Sequence, residues 1–592
     1  MRKLIYLLLF PVLVWSQTQE TLIKSNYTVT GNETLIASRS IIIQPNSLIQ
    51  QGSTFTAKIN SEAYTALTLS NQNYIFSRNY QRAIKNSTEI TSNKDIIDNV
   101  TYYDALGRSM QNISIKASPT YKDIITHVSY DALGRQDKDY LPYMEATGSV
   151  GAYRNVAEIN AKNYYSTNYP IDINNGIPNP FSEKMFDNSP LNRVLQQAAP
   201  GQDWAIGSGH EVKMEYQTNL GNEVKLYTVT LSLANNTYTP SLSLSSANGG
   251  YYGAGTLYKT ITKNENWTTG NNNTSEEFKD KHGRLILKKT YGVSMVNNVA
   301  LNSSHETYYI YDSYGNLTYL LTPKADGNIT NLNDLSYQYI YDIKNRLVEK
   351  KVPGKDWEYT IYDKQDRPIL TQDGTLRSSN KWFFTKYDLT SRPVYSGIYT
   401  DNTNITRAAV QIAANSMAAQ QEVRTSSTTN IGTVNINYTN AAFPNGLLPN
   451  TVIDLFLVNY YDNYTDIDLD GGIVALSYGI NPITNAKGLG TCSKVRVLET
   501  NDWITTVVYY DLKGRRVYNY SKNNYLNSIS TVKTQFDFSG KILETTSTHK
   551  KNNDALLTIV DVYDYDHGGR ILTQKQTINN QIQEIVLSNT VY

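Results

Sequence analysis

The chain has a single cysteine among 592 residues, Cys492, which excludes any intramolecular disulfide and any metal site built from several thiolates. Histidine is almost as scarce, with six: His127, His210, His282, His305, His549 and His567. His210 and His305 each precede a glutamate but lack the second histidine of a zincin helix, so neither reads as a zinc motif. Gly207-Ser208-Gly209 lacks the spacing of a nucleophile elbow, and the run Gly488–Ser493 ends wrongly for a dinucleotide loop. No phosphate-cradling P-loop is present, and Cys492 reads as a buried thiol rather than a nucleophile. Charge of one sign is missing too: 54 Lys and Arg stand against 53 Asp and Glu, and no stretch gathers five basic residues. Nucleic acid and anionic membrane surfaces therefore have no electrostatic footprint here. A membrane-spanning helix needs about 20 apolar residues, and the one long apolar run, Leu4–Val14, has eleven. Neither a transmembrane segment nor a cofactor is expected.

What the chain has in abundance is tyrosine, 48 of them, and a phrase in which tyrosine leads. YDALGR occurs twice, at Tyr103–Arg108 and Tyr130–Arg135. Eight variants follow: Lys279–Arg284, Tyr311–Asn316, Tyr341–Arg346, Tyr362–Arg367, Tyr387–Arg392, Tyr510–Arg515, Phe536–Lys541 and Tyr565–Arg570. Seven of the nine gaps between starts lie between 21 and 32 residues, the length of one supersecondary unit, which marks a repeat array. The phrase reads as a hairpin turn. Its aspartate can bind backbone amides ahead of it, the next two positions suit right-handed helical backbone, and the fifth must turn left-handed. Glycine holds that fifth place seven times, with Asn345, Asp366 and Ser391 in the others. The expected turn residues are thus Asp104 with Gly107, Asp131 with Gly134, Asp280 with Gly283, Asp312 with Gly315, Asp511 with Gly514, Asp537 with Gly540 and Asp566 with Gly569. Aromatic and β-branched residues flank the turns, as strands require.

These phrases and spacings resemble the YD repeats of the bacterial RHS/teneurin superfamily. Asn179–Val212 is similar to the domain of unknown function that precedes RHS repeats in Bacteroidota proteins. The resemblance covers roughly residues 75 to 592 and implies a mainly β fold, a hairpin array wound into a curved or spiral sheet around a hollow. It implies no catalytic residues for this portion. Its members continue into further repeats and a closing segment, so a chain ending at Tyr592, where the next phrase would begin, is expected to be an incomplete array.

Arg2 and Lys3, the apolar run and Ser16 form a Sec-type secretory signal with cleavage expected after Ser16. The expected division is 1–16 signal peptide, 17–75 β-solenoid-like segment, 76–265 RHS-associated N-terminal domain with two repeats, 266–395 repeat array, 396–505 insertion, and 506–592 array again. The solenoid rungs are read in 35–59 from short apolar runs broken by Pro45-Asn46 and Gly52-Ser53. A short helix is expected over Asn155–Tyr165 and a clear one over the alanine-rich Ile405–Val423. Asp466, Asp468 and Asp470 before Gly471 imitate half of a calcium loop, but the bidentate twelfth position is Ser477, so a solvated acidic turn is expected and no metal. Three function classes stay open: a secreted scaffold that encloses or presents a variable, toxin-like C-terminal region; a cell-surface module whose tyrosines stack on carbohydrate or engage a protein; and, third, an enzyme.

Overall fold

The computed structural model describes residues 21–37, 40–59, 63–145, 148–173, 178–296, 299–325, 327–445, 451–472, 476–579 and 584–591. The signal segment 1–16 and Tyr592 lie outside these residues.

The fold is mainly β. Its N-terminal part forms three strand pairs in which every pairing is parallel: Thr21–Lys24 with Ser40–Ile43, Thr28–Val29 with Leu48–Ile49, and Asn32–Ala37 with Thr54–Ile59. Parallel neighbours about twenty residues apart make two stacked rungs of a β-solenoid, starting earlier than the 35–59 stretch.

A five-stranded antiparallel sheet follows, in the order Tyr143–Met144, Ile124–His127, Ser109–Ile115, Ile96–Tyr103, Asn73–Tyr80. The strand Ile96–Tyr103 alternates strictly between buried and half-buried side chains, the pattern of a strand with one face on a core. That core holds Val100, Tyr102, Ile113, Ile125 and Tyr143 against Ala157 and Ala161 of the helix Ala157–Asn168, close to the expected Asn155–Tyr165.

Twenty-six strands among the described residues then form one sheet, from Lys138–Tyr140 to Ile585–Asn589, with antiparallel strand pairings. The sheet is open, without closure into a barrel. It is also more continuous than the repeats indicate. Strands Phe181–Phe186, Val194–Ala198, Val212–Thr218 and Tyr258–Lys263 belong to it. So do Thr451–Asn463 and Asn485–Arg496, which carry the sheet across the expected second insertion. Among the described residues, the helix Arg407–Ser416 and the hairpin Arg424–Ile431 with Val434–Tyr438 are the regular elements that stand outside it there.

The helix is shorter than the alanine pattern predicts. Thr406 caps its start, accepting from the Ala409 amide at 3.3 Å, but it ends at Ser416 rather than Val423. Beyond Ser416 the backbone turns its carbonyls to the cations of a repeat turn: Lys364 Nζ donates to the Met417 carbonyl at 2.9 Å, and Arg367 donates to that of Gln420. Charged donors outweigh the few tenths of a kcal/mol per residue that alanine propensity supplies.

The sheet also folds back upon itself. The hairpin Tyr227–Ala234 and Thr237–Leu244 swings out between Val212–Thr218 and Tyr258–Lys263, which pair with each other, and lays Tyr238 against Tyr341 about a hundred residues on. At the far end, the turn before Ile571–Ile578 reaches the five-stranded sheet. The His567 Nε2 lies 2.6 Å from the Lys116 carbonyl, Arg570 donates to that of Ala117 at 3.0 Å, and the imidazole stacks on Tyr121 with centroids 4.1 Å apart. Lys541 adds a bond to Gln81 at 3.1 Å.

This contact carries a pH dependence. Burial pushes the His567 imidazole below its ordinary value, with Arg570 and Lys94 acting in the same direction and the Lys116 carbonyl and Asp566 opposing. The undocked ring takes up a proton near its ordinary 6.5 while the docked ring resists, so docking is complete above that pH and weakens as pH falls through it. Hydrogen-exchange protection factors around residues 113–124 and 560–570, taken relative to the intrinsic rate at each pH, are expected to fall between pH 7.5 and 5, and equal protection at both would contradict this.

Candidate functional site

No cleft of the described residues assembles a catalytic constellation; what recurs is the turn. In the first phrase the Asp104 amide donates to the Arg108 carbonyl at 2.9 Å and the Gly107 amide to the Asp104 carbonyl at 3.1 Å. Asp104 Oδ1 accepts from the amides of Leu106 and Arg108, both at 2.9 Å, and Oδ2 from Arg108 Nε at 2.8 Å. A one-residue bulge precedes the turn, pairing Tyr103 with Ser109, as a type I turn closed by a left-handed residue requires.

The aspartate's bond to the amide four residues on recurs at all ten phrases. Asp131, Asp280, Asp312, Asp342, Asp363, Asp388, Asp511, Asp537 and Asp566 each accept from the amide four residues on at 2.8 to 3.0 Å. Gly107, Gly134, Gly283, Gly315, Gly514, Gly540 and Gly569 all have φ between 75° and 101°. Asn345, Asp366 and Ser391 adopt φ of 57°, 63° and 64°, and each uses its side chain to hold the preceding repeat. Asn345 accepts from Asn316 at 3.3 Å, Asp366 from Arg346 at 2.7 Å, and Ser391 from Arg367 at 3.3 Å.

The sixth residue, which the sequence presents as a mere end of the phrase, links one repeat to the next. Arg108 covers the Tyr130 ring at 4.4 Å, Arg284 that of Tyr311 at 5.0 Å, Arg346 that of Tyr362 at 4.6 Å and Arg515 that of Phe536 at 4.7 Å. The covered tyrosine then donates its hydroxyl to the carbonyl just after that arginine: Tyr130 to Ser109 at 2.9 Å, Tyr311 to Leu285 at 3.1 Å, Tyr362 to Leu347 at 2.9 Å. Tyrosine is needed at the first position for its hydroxyl as well as its ring.

Two further members escaped the repeat pattern. Phe186-Asp187 to Arg193 is a turn lengthened by two residues: Asp187 Oδ2 accepts from Arg193 Nε at 2.7 Å, Arg135 covers Phe186 at 4.6 Å, and Arg193 covers Tyr216 at 5.1 Å. Its signal was an aromatic-Asp pair with arginine seven residues after the aromatic. Tyr461-Asp462 closes the step from Arg392, which covers Tyr461 at 4.4 Å and pairs with Asp462 at 2.7 Å; no arginine follows there, so only the Tyr-Asp pair itself could have shown it.

The aspartates are tuned by their loops. At Asp104 and Asp131 the amide of Arg108 or Arg135 is the leading cause, with the guanidinium assisting, and both carboxyls lie below the ordinary 3.8. The Ser189 hydroxyl and then Arg193 bring Asp187 down to about 2. At Asp280, Asp388, Asp511, Asp537 and Asp566 burial pushes upward and the loop donors outweigh it.

The remaining candidates have structural partners. Asp468 pairs with Lys494 and Asp470 with Lys522, both at 2.8 Å, so two of the three calcium-like carboxylates of Asp466–Gly471 are held by lysines. Burial pushes the Cys492 thiol up to about 12, the reverse of what a nucleophile needs. No group of three or more metal-ligating side chains occurs among the described residues. Of the exposed tyrosines, Tyr74 and Tyr80 share the strand Asn73–Tyr80, whereas Tyr169, Tyr258, Tyr314 and Tyr525 lie on separate strands and loops.

A family model described as a domain of unknown function, DUF6443, matches residues 76–218. Among solved structures, the crystal structure of TcdB2-TccC3-TEV is similar over 83% of this chain and 21% of its own at 12% identity and a TM-score of 0.38. That of TcdB2-TccC3 covers 81% and 21% at 12% identity and a TM-score of 0.40. TcdB2-TccC3 without its hypervariable C-terminal region covers 81% and 20% at 11% identity and a TM-score of 0.37. This chain spans about a fifth of the length of those chains. Comparison with curated proteins gives no match.

Two outcomes follow from the turn. Gly514→Val forces a β-branched residue to φ 75° and is expected to cost about 1–3 kcal/mol in a urea melt, whereas Gly514→Asn costs less than half as much; equal losses would refute the left-handed requirement. Because the carboxyls of Asp104, Asp131, Asp187, Asp280, Asp388, Asp511, Asp537 and Asp566 lie below their ordinary value, their stabilisation is complete above the ordinary carboxylate pKa and is lost as pH falls through the lowered ones. Near-ultraviolet circular dichroism is therefore expected to hold to pH 4 and decline below it.

Proposed function

We propose that this chain is the front part of a secreted RHS/YD-repeat scaffold whose sheet encloses or presents a variable C-terminal region. One observation carries the reading: a 26-stranded antiparallel sheet that comes back on its own N-terminal unit through His567 and Lys116, residues 451 apart in sequence. A sheet of that extent, held by turn-to-turn links, has the build of a wall. The repeat phrases and the DUF6443 match at 76–218 favour the RHS setting. The secretory leader and the C-terminal cargo belong to this proposal as its working parts, with extracellular placement as the consequence.

Carbohydrate binding through tyrosine is less favoured. The repeat tyrosines have their rings under arginines and their hydroxyls on backbone carbonyls, so few faces are free for a sugar.

The test is to isolate the natural full-length product from the medium of its source organism and treat it with protease under native conditions. A segment C-terminal to residue 592 is expected to resist digestion until the sheet is unfolded. Cleavage of that segment as fast as in a free peptide, or a natural product that ends at residue 592 and binds a glycan array, would overturn the scaffold reading.

A further inference from the structure

We propose that Lys386 and Asn440 become joined by a spontaneous amide cross-link between the lysine Nζ and the asparagine Cγ, with Glu422 as the catalytic proton carrier. Lys386 lies on the strand Lys381–Tyr387 of the main sheet. Glu422 precedes, and Asn440 follows, the outlying hairpin Arg424–Ile431 with Val434–Tyr438. The side chains of Lys386 and Glu422 are both 0% exposed.

The three groups already have the positions the reaction needs. Lys386 Nζ is 2.6 Å from Asn440 Oδ1 and 2.8 Å from Glu422 Oε1, which sets the amine beside the carboxamide carbon. Asn440 Nδ2 donates to the Asn445 carbonyl at 2.9 Å, fixing the amide plane. Glu422 is itself held: Oε2 accepts from the Thr439 hydroxyl at 2.6 Å and the Ala441 amide at 2.9 Å, and Oε1 from the Ala442 amide at 2.9 Å. The Tyr395 hydroxyl, which donates to the Thr439 carbonyl at 2.9 Å, lies 3.4 Å from Oδ1, and Nζ also donates to the Ala442 carbonyl at 2.8 Å. A small cavity lined by Ile369, Ala414, Ala442 and Phe443 adjoins Lys386.

Water exclusion favours the neutral forms of a buried pair, and burial lowers the Lys386 ammonium to about 8 against the pull of Glu422. One proton passes from Nζ to Glu422, freeing the nitrogen lone pair. That pair forms a bond to Asn440 Cγ, and the C=O π electrons move to Oδ1. On collapse the carbonyl re-forms and the Cγ–Nδ2 bond breaks. Nδ2 takes a proton from Glu422 and leaves as ammonia, while the second Nζ proton returns to the carboxylate and is then carried off by the ammonia as ammonium. No oxidant or other co-reactant enters. Close placement of nucleophile, carbon and proton carrier replaces activation of the amide. The product staples the outlying segment to the sheet in a chain whose single cysteine permits no disulfide.

Peptide mapping of the purified, denatured full chain tests this. The peptide containing Lys386 is expected to be joined to that containing Asn440, lighter than their sum by one ammonia, with trypsin unable to cut after residue 386. Intact mass alone does not decide, because an N-terminal glutamine also sheds ammonia. Glu422→Gln keeps the shape of the site and is expected to yield only linear peptides with an unchanged circular dichroism spectrum. Linear Lys386 and Asn440 peptides from folded wild-type protein would overturn the cross-link, and wild-type extent of linkage in Glu422→Gln would overturn the role of Glu422.

Discussion

The relay from aspartate to arginine to the next tyrosine is the interaction on which the rest of the sheet depends. A single turn closed by an aspartate is worth little beyond its own hairpin. Here the arginine that neutralises the aspartate also covers the next aromatic ring, and that tyrosine returns a hydroxyl to the strand behind it. Each exposed ion pair contributes at most about 1 kcal/mol, and each cation–π contact about 0.5–1 kcal/mol. The inner pair is the least screened by solvent, since Arg367 and Asp363 side chains are 10% and 4% exposed. Repetition makes the sum large, and the sharing of each arginine between two turns sets the spacing of the hairpins.

Departures from the phrase follow the same logic. Asn316 stands where an arginine would be, binding Asp312 at 3.2 Å and reaching Asn345 at 3.3 Å. Lys541 replaces arginine between Asp537 and Tyr565, with its ammonium 5.6 Å from the ring centre. Left-handed backbone at Ser391 costs about 1–3 kcal/mol, and the bond from Arg367 to its hydroxyl offsets part of it.

Where phrases are absent, packing and buried charge take over. Ahead of the phrase at Lys279–Arg284 the strand Tyr258–Lys263 is tied by Lys259, which contacts Glu223 at 2.7 Å and Glu276 at 3.1 Å. The outlying segment after Asp401 rests on a core that includes Trp382, Phe384, Tyr395 and Tyr399 from the sheet with Val410, Ile436 and Phe443 from above. The long-range contacts, Tyr238 on Tyr341 and His567 on Lys116, then set how far the sheet turns.

The turns were legible because their chemistry is local: an aspartate that binds the amides just ahead of it and a residue that accepts positive φ need nothing beyond six consecutive positions. The β class was legible for the same reason, from aromatic and β-branched runs beside each turn. Helix Ala157–Asn168 came through as well, whereas the second helix was overextended, since Lys364 and Arg367 compete for its last carbonyls from a repeat some fifty residues away. The lengthened turn at Asp187 was hidden by two extra residues. The arginine's second partner, the continuity of the sheet through Thr451–Asn463, and the meeting of Lys386, Glu422 and Asn440 depend on which strands become neighbours. Sequence by itself determined the hairpins and their left-handed corners, because those are bonds within one loop. Tertiary structure decided the relay and the return of the sheet on its own start, because both join side chains that only packing brings together.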